Sequence, residues 1–479
     1  MREALKFYIN GQWAPPREGN VIDVHNPADE SVIGHVALGG PKDVDAAVKA
    51  ARAAFPAWSK TTRDERLDVM RRIVEGIKQR HVELGKVITE EMGANSEFAH
   101  QVHAGVGMVH MKTAMRVLKD YAFVHERGTT KIVHEPIGVC GFITPWNYPI
   151  NQIAVKVAPA LATGCTMVLK PSEISPFSAV IWAEILDAAG VPPGVFNMVF
   201  GDGPVVGRAI AAHPDVDMVS FTGSTRAGID VAQTAAKTVK RVAQELGGKS
   251  PNIILDHADF PKAVAAGVHT MMINCGQSCN SPTRMLVPRA RMEEAAEIAR
   301  NEVESLSVGD PRESKIGPVV SKVQWENIQT LIKAGIDEGA TVVTGGVGRP
   351  KHLEKGFYVR PTVFSNVDNS STVAREEIFG PVLSIVPFDD VDDAVRLAND
   401  TEYGLAAYVS GDDCELLATV VAQLRAAQVI VNRAPPDPMA PFGGYKRSGN
   451  GREWGDHGFT EYLEVKAVLG FPDKPLSPA

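Results

Sequence analysis

The strongest constraint on this chain lies between residues 139 and 246, where short apolar runs alternate with helical stretches. VCGFITP (139–145), CTMVLKP (165–171), VFNMVF (195–200), VDMVSFTG (216–223) and RVAQEL (241–246) read as strands. Between them lie NQIAVKVAPALATG, FSAVIWAEILDAAG, GPVVGRAIAAH and TRAGIDVAQTAAKTV, which read as helices. Parallel neighbours need a crossover about the length of a helix, so this alternation predicts a doubly wound parallel sheet. Ligands of such sheets sit beyond the carboxyl ends of the strands, and chemistry is sought there.

Upstream, 41–58, 62–93 and much of 95–121 carry helical periodicity, with Pro41 suited to a first turn. A second α/β region begins near residue 250, with PNIILD, MLVPRA, ATVVTGG, GFYVRPTVF and PVLSIVPF as strands and helices at 261–274 and 291–305. The polar stretch 125–136 and the tail 460–471 read as extended segments of the kind that pair with another subunit. A net charge of −8 with no dense basic run argues against a nucleic-acid partner. Five cysteines in 479 residues do not make a disulfide framework, and they point to a reducing, cytoplasmic setting. No signal-peptide core opens the chain, and no apolar run has the roughly 20 residues of a membrane span.

The strand ends carry polar residues that each admit two readings. Asn147 in PWNYP is an oxyanion donor or a turn residue. Lys170 and Glu173 in LKPSE grip a ribose, favouring NAD over NADP, or form a solvated pair. The glycines of GDGPVVG (201–207) miss the dinucleotide fingerprint by one residue. In FTGST, Gly223 and Ser224 offer a phosphate a helix N-terminus, or simply cap that helix. Glu245 before Gly247 and Gly248 is a general base or a structural carboxylate.

NCGQSCNS (274–281) places Cys275 and Cys279 four apart, on one face if the segment is helical. A disulfide is disfavoured at this spacing in a reducing compartment. A zinc site lacks its second ligand pair, so no metal is expected. Two packed thiols and one reactive thiol both remain.

Taken together and in order, PWNYP, LKPSE, FTGST, ELGGKSP, GQSC, EEIFGP (376–381) and PFGGYKRSG (441–449) resemble the NAD(P)-dependent aldehyde dehydrogenase superfamily across essentially the whole chain. The resemblance implies an aldehyde dehydrogenase-like α/β fold: a Rossmann-like cofactor domain (1–122 and 140–246), an α/β catalytic domain (247–454) and a small β oligomerisation flap (123–139 and 455–479). It implies Cys279 as nucleophile, Asn147 with the Cys279 backbone N–H as oxyanion donors, and Glu245 as the base that activates water. Lys156 and Glu453 match positions proposed to relay protons. NAD, with NADP also open, would be held by Ile143, Trp146, Lys170, Glu173, Gly203, Gly207, Phe221, Gly223, Ser224, Leu246, Glu377 and Phe379. Tyr148, Asn151, Gln152, Ser278, Asn280 and Phe442 would face the aldehyde, with Val155 and Pro436 marking a wider, more polar tunnel. The remaining cysteines, 140, 165 and 414, are expected as packing residues. Arg433 would meet a substrate carboxylate or serve the loop. The chain would be a homodimer or homotetramer. A CoA-acylating relative or a non-catalytic binding protein is the alternative.

Overall fold

The structure is a computed structural model and describes residues 1–470. Its first seven-stranded sheet runs in the order Arg241–Glu245, Met218–Thr222, Val139–Ile143, Thr166–Lys170, Phe196–Met198, Phe7–Ile9, Gln12–Ala14. The first five strands are mutually parallel, and the two N-terminal strands join antiparallel. The predicted parallel core is therefore present, and the amino terminus extends it. Most buried positions of these strands, such as Phe142, Leu169 and Val219, are apolar, as expected of strands covered on both faces, and the buried polar ones include Lys170, Thr222 and Glu245 at the carboxyl ends. Helices Pro149–Thr163, Phe177–Ala188 and Thr225–Ala235 make the crossovers.

The second sheet also has seven strands, ordered Thr341–Thr344, Thr362–Ser365, Val382–Phe388, Arg284–Pro288, Pro251–Ile254, Ala406–Ser410, Gln428–Val431. Only its first pair is antiparallel. Each sheet carries its own apolar core. GFYVRPTVF contributes a strand only from Thr362, because Pro361 has no N–H for the ladder.

Helix starts follow local chemistry. Pro41 and Pro149 occupy first-turn positions, where a missing N–H costs nothing. Thr62 and Glu65 form a reciprocal capping box for Arg63–Met92. The Ser224 hydroxyl accepts from Ala227 N at 3.3 Å, a cap contributing about 1 kcal/mol.

Much of 95–121 is helical, as expected, with a π-helical turn, Ala99–His103, between Ser96–Phe98 and Ala104–Asp120. GPVVGRAIAAH likewise opens with a π turn at Gly203–Gly207. Cys275 and Cys279 share no helix face, because Asn274, Cys275 and Gly276 are all left-handed and end the helix before them. Cys414 is exposed at the start of Cys414–Gln423 and is not a packing residue, whereas Cys140 and Cys165 are buried. The two extended segments meet within the chain as one antiparallel sheet of Leu463–Val468, Thr130–Pro136 and Val124–Arg127, and its outer strand keeps an open edge. Residues 471–479 of the expected flap lie outside the described residues. Among the described residues, no helix is long and apolar enough to cross a membrane.

Candidate active site

A cavity of about 490 Å³ opens between the carboxyl ends of the first sheet and the amino ends of the second. Trp146, Asn147, Gln152, Gly223, Ser224, Glu245, Leu246, Cys279, Glu377 and Phe379 line it together. Residues spread over more than 200 positions of sequence thus meet on one surface. Gly247 and Gly248 allow the closure. A Cβ at Gly247 would lie 2.1 Å from the Glu377 carboxylate, and one at Gly248 would lie 2.4 Å from the Cys279 carbonyl. Glu377 uses that space to accept from Gly248 N at 3.0 Å.

The nucleophile loop is pinned from both sides. Gln277, fully buried, accepts from Val320 N through Oε1 at 2.9 Å and donates to Asn274 O at 3.2 Å. Asn147 Nδ2 donates to Gln277 O at 3.1 Å. A carboxamide nitrogen has two hydrogens, so the second is available to the cavity that both Asn147 and Cys279 line.

Burial pushes the Cys279 thiol up to about 12, and the carboxylates of Glu377 and Glu245 add to the rise. The N–H groups of Asn280 and Cys279 face the sulfur and oppose it. Cys275 is raised to about 12 by burial alone. What separates the two thiols is access, since Cys279 opens onto the cavity and Cys275 is buried.

Neither Glu245 oxygen accepts a hydrogen bond within the protein. Burial, then the like charge of Glu453, raises this carboxyl well above its ordinary range, against the pull of Lys156 and Arg452. Lys156, fully buried, donates to Glu453 Oε1 at 2.5 Å and to Ser220 Oγ at 3.0 Å. Removing one member of such a buried pair strands the other charge, at about 3–5 kcal/mol.

Several expected residues flank the cavity. Lys170 Nζ is tethered by the carbonyls of Pro171 and Gly201, both at 2.8 Å, and holds Glu173 at 3.0 Å. Gly207 looks onto Ile143 and the Lys170 stem, and Gly223 onto the Phe221 ring. Gly203 has open space before it. Trp146 and Phe379 meet edge to face at 5.5 Å, with Phe379 held left-handed at φ +56°. Tyr148 and Ser278 share a hydroxyl bond of 2.7 Å, and Tyr408 reaches the Asn280 carbonyl at 3.1 Å. Asn151 meets His110 at 2.7 Å, and Phe442 stacks on Trp454 at 5.0 Å. Val155 is buried, while Arg433 and Pro436 are exposed on a loop and do not line the cavity.

Some site residues were missed from sequence. Gln324, Asn327, Thr330 and Leu331 bring a whole helix, Lys322–Asp337, to the cavity, with Gln324 Nε2 on the Phe379 carbonyl at 2.9 Å. Their i, i+3, i+6, i+7 spacing marks one helix face, a signal that nothing in sequence ties to the site. His103, His110 and Trp454 come in through packing alone.

His103 is held neutral, its ionisation lowered to about 4 by burial, and burial lowers His110 as well. The unfolded chain binds these protons near the ordinary histidine value of 6.5, so stability falls as pH drops from about 6.5 towards 4. For His103 the limit is about 1.4 kcal/mol per pH unit. Urea melts at pH 7 and pH 5 should show the loss, with a smaller difference in His103→Gln; an unchanged difference would refute the assignment.

Fold and cavity define an α/β oxidoreductase with an accessible cysteine opposite a buried carboxylate. The model of the aldehyde dehydrogenase family matches residues 13–468, and the chain belongs to that family. It is an aldehyde dehydrogenase. It is 54% identical over 474 residues to 3-succinoylsemialdehyde-pyridine dehydrogenase of a Pseudomonas species, covering 98% of this chain and 99% of that one. A mutant aldehyde dehydrogenase C from Pseudomonas syringae, solved with NAD+ and octanal, superposes with a TM-score of 0.97 at 54% identity, covering 99% of this chain and 98% of that one. The NAD+ complex of an aldehyde dehydrogenase from Bacillus cereus gives 0.94 at 38% identity, covering 97% and 96%.

Proposed function

We propose that the chain oxidises an aldehyde to a carboxylic acid with NAD, through a thiohemiacetal and then a thioester on Cys279. The observation that carries this reading is one cavity holding Cys279, Asn147 and Glu245 together. The cofactor fits the residues present. The tethered Lys170–Glu173 pair offers ribose partners, the Ser224-capped helix offers N–H groups to a diphosphate, and Glu377 and Phe379 reach the cavity beside Cys279. When bound, NAD accepts the hydride.

The chain's own residues do the rest. Cys279 gives its proton to solvent in the cavity as its sulfur attacks the carbonyl carbon, with the N–H groups of Asn280 and Cys279 favouring the anion. The free Asn147 N–H and the Cys279 backbone N–H stabilise the developing oxyanion. Glu245, buried and unbonded, takes a proton from water as that water attacks the thioester. Its raised proton affinity makes it a stronger base than an exposed glutamate. Lys156 and Glu453 carry the proton on from Glu245. The CoA-acylating alternative is disfavoured by this same base.

On this reading, 1–122 with 140–246 hold cofactor, 247–454 supply the catalytic loop, and 123–139 with 455–479 join subunits. Val124–Arg127 is an exposed edge strand, suited to pairing in a homodimer or homotetramer. Five free cysteines favour the cytoplasm.

The test is direct. The purified chain should reduce NAD with an aldehyde in the absence of CoA, should prefer NAD to NADP by about tenfold because Glu173 repels a 2′-phosphate, and should elute as an oligomer. Dependence on CoA would overturn the reading.

A further inference from the structure

We propose that Asn274 is a positioning residue for the oxyanion site, clamped by His103. The proposal rests on the roles given above to Asn147 and Cys279.

Asn274 lies at the turn into the nucleophile loop and is 9% exposed. Its Nδ2 donates to the Asn147 carbonyl at 3.0 Å and to the Gln277 carbonyl at 3.3 Å. The Gln277 carbonyl also accepts from Asn147 Nδ2. Asn147 is thus tied to the loop through its backbone by Asn274 and through its side chain by Gln277. Both Asn274 acceptors are backbone carbonyls, which fixes the direction of the amide: nitrogen towards them, Oδ1 away. That Oδ1 meets His103 Nε2 at 3.4 Å, so His103 carries its proton on Nε2.

His103 grips both halves of the site. Its ring stacks on Tyr148, the residue after Asn147, at 4.6 Å and 19°. It is fully buried and sits in the π turn Ala99–His103, a rare deformation found frequently at functional sites. The loop it steadies runs left-handed for three residues, with φ of +54° at Asn274, +57° at Cys275 and +70° at Gly276. Such backbone persists only when surroundings over-determine it. Asparagine tolerates the left-handed region better than most residues and brings the donor as well.

Asn274 does not line the cavity that Cys279 and Asn147 share, so its action is through Asn147. An oxyanion donor works within a few tenths of an ångström, and a displacement of about 1 Å can cost 10²-fold in rate.

Asn274→Gly separates side chain from backbone, because glycine keeps the left-handed turn at no cost. The expected result is a roughly 10- to 100-fold lower kcat for NAD-dependent aldehyde oxidation. KM for NAD and the rate of Cys279 alkylation by iodoacetamide should stay at wild-type values, because alkylation develops no oxyanion. Asn274→Asp keeps the acceptor for His103 but loses the donor, and should show the same split. A kcat within about twofold of wild type in Asn274→Gly, or alkylation falling in step with oxidation, overturns the proposal. Asn147→Ala run alongside separates the two levels. Full activity there refutes the oxyanion reading and the clamp with it. Lost activity in Asn147→Ala beside normal Asn274→Gly refutes the clamp alone.

Discussion

Cys279→Ser is expected to lower kcat/KM for aldehyde oxidation by on the order of 10⁴-fold or more, while NAD binding and thermal stability stay near wild type. Covalent catalysis depends on this one atom, and removing a nucleophile forfeits nearly all that its partners contribute. Even sulfur is held protonated here, up to about 12, by burial and by Glu377 and Glu245. A hydroxyl is a far weaker acid than a thiol, and neither buried histidine is placed to help. His103 binds Asn274 and His110 binds Asn151, and both are neutral through burial. Serine should therefore bind substrate and leave it unchanged. NADH formation above a tenth of the wild-type rate would remove Cys279 from its role. Cys275→Ser, at a buried thiol, should leave kcat within a few-fold of wild type and serves as the control.

Glu245→Gln should lower steady-state turnover by about 10²–10⁴-fold, the range attributed to general-base catalysis. The substitution is nearly isosteric, and no protein hydrogen bond is lost, because neither Glu245 oxygen has one. Its effect should therefore be chemical. The base acts on the water that hydrolyses the thioester, so the variant should accumulate acyl-enzyme, visible by intact mass as an adduct on the Cys279 peptide. Slow turnover with no adduct would show that Glu245 serves an earlier step. Removing a buried carboxyl that sits against Glu453 should also leave the melting temperature unchanged or raise it.

Much of the site was legible because this fold puts its chemistry at strand ends, and strand ends are marked by composition. Asn147, Lys170, Ser224 and Glu245 each follow or end an apolar run, and the structure sets them along one edge of one sheet. The nucleophile loop was read less well. Four-residue spacing suggests a helix, but the left-handed run at 274–276 turns Cys275 inward and Cys279 outward. Nothing in the composition of NCGQSC announces that reversal; the contacts of Gln277 and Asn274 enforce it. The acidity of the thiol was not legible either, since it depends on burial and then on the carboxylates of Glu377 and Glu245.

The sequence by itself determined the class of fold, the strand ends that bear function and the family of chemistry, because these depend on period, punctuation and residue type within short windows. Only the tertiary structure decided which thiol is accessible, which protons are held, and that a helix near residue 324, two buried histidines and Trp454 belong to the site. Those properties come from desolvation and from contacts between segments hundreds of residues apart, and a local pattern carries no record of either.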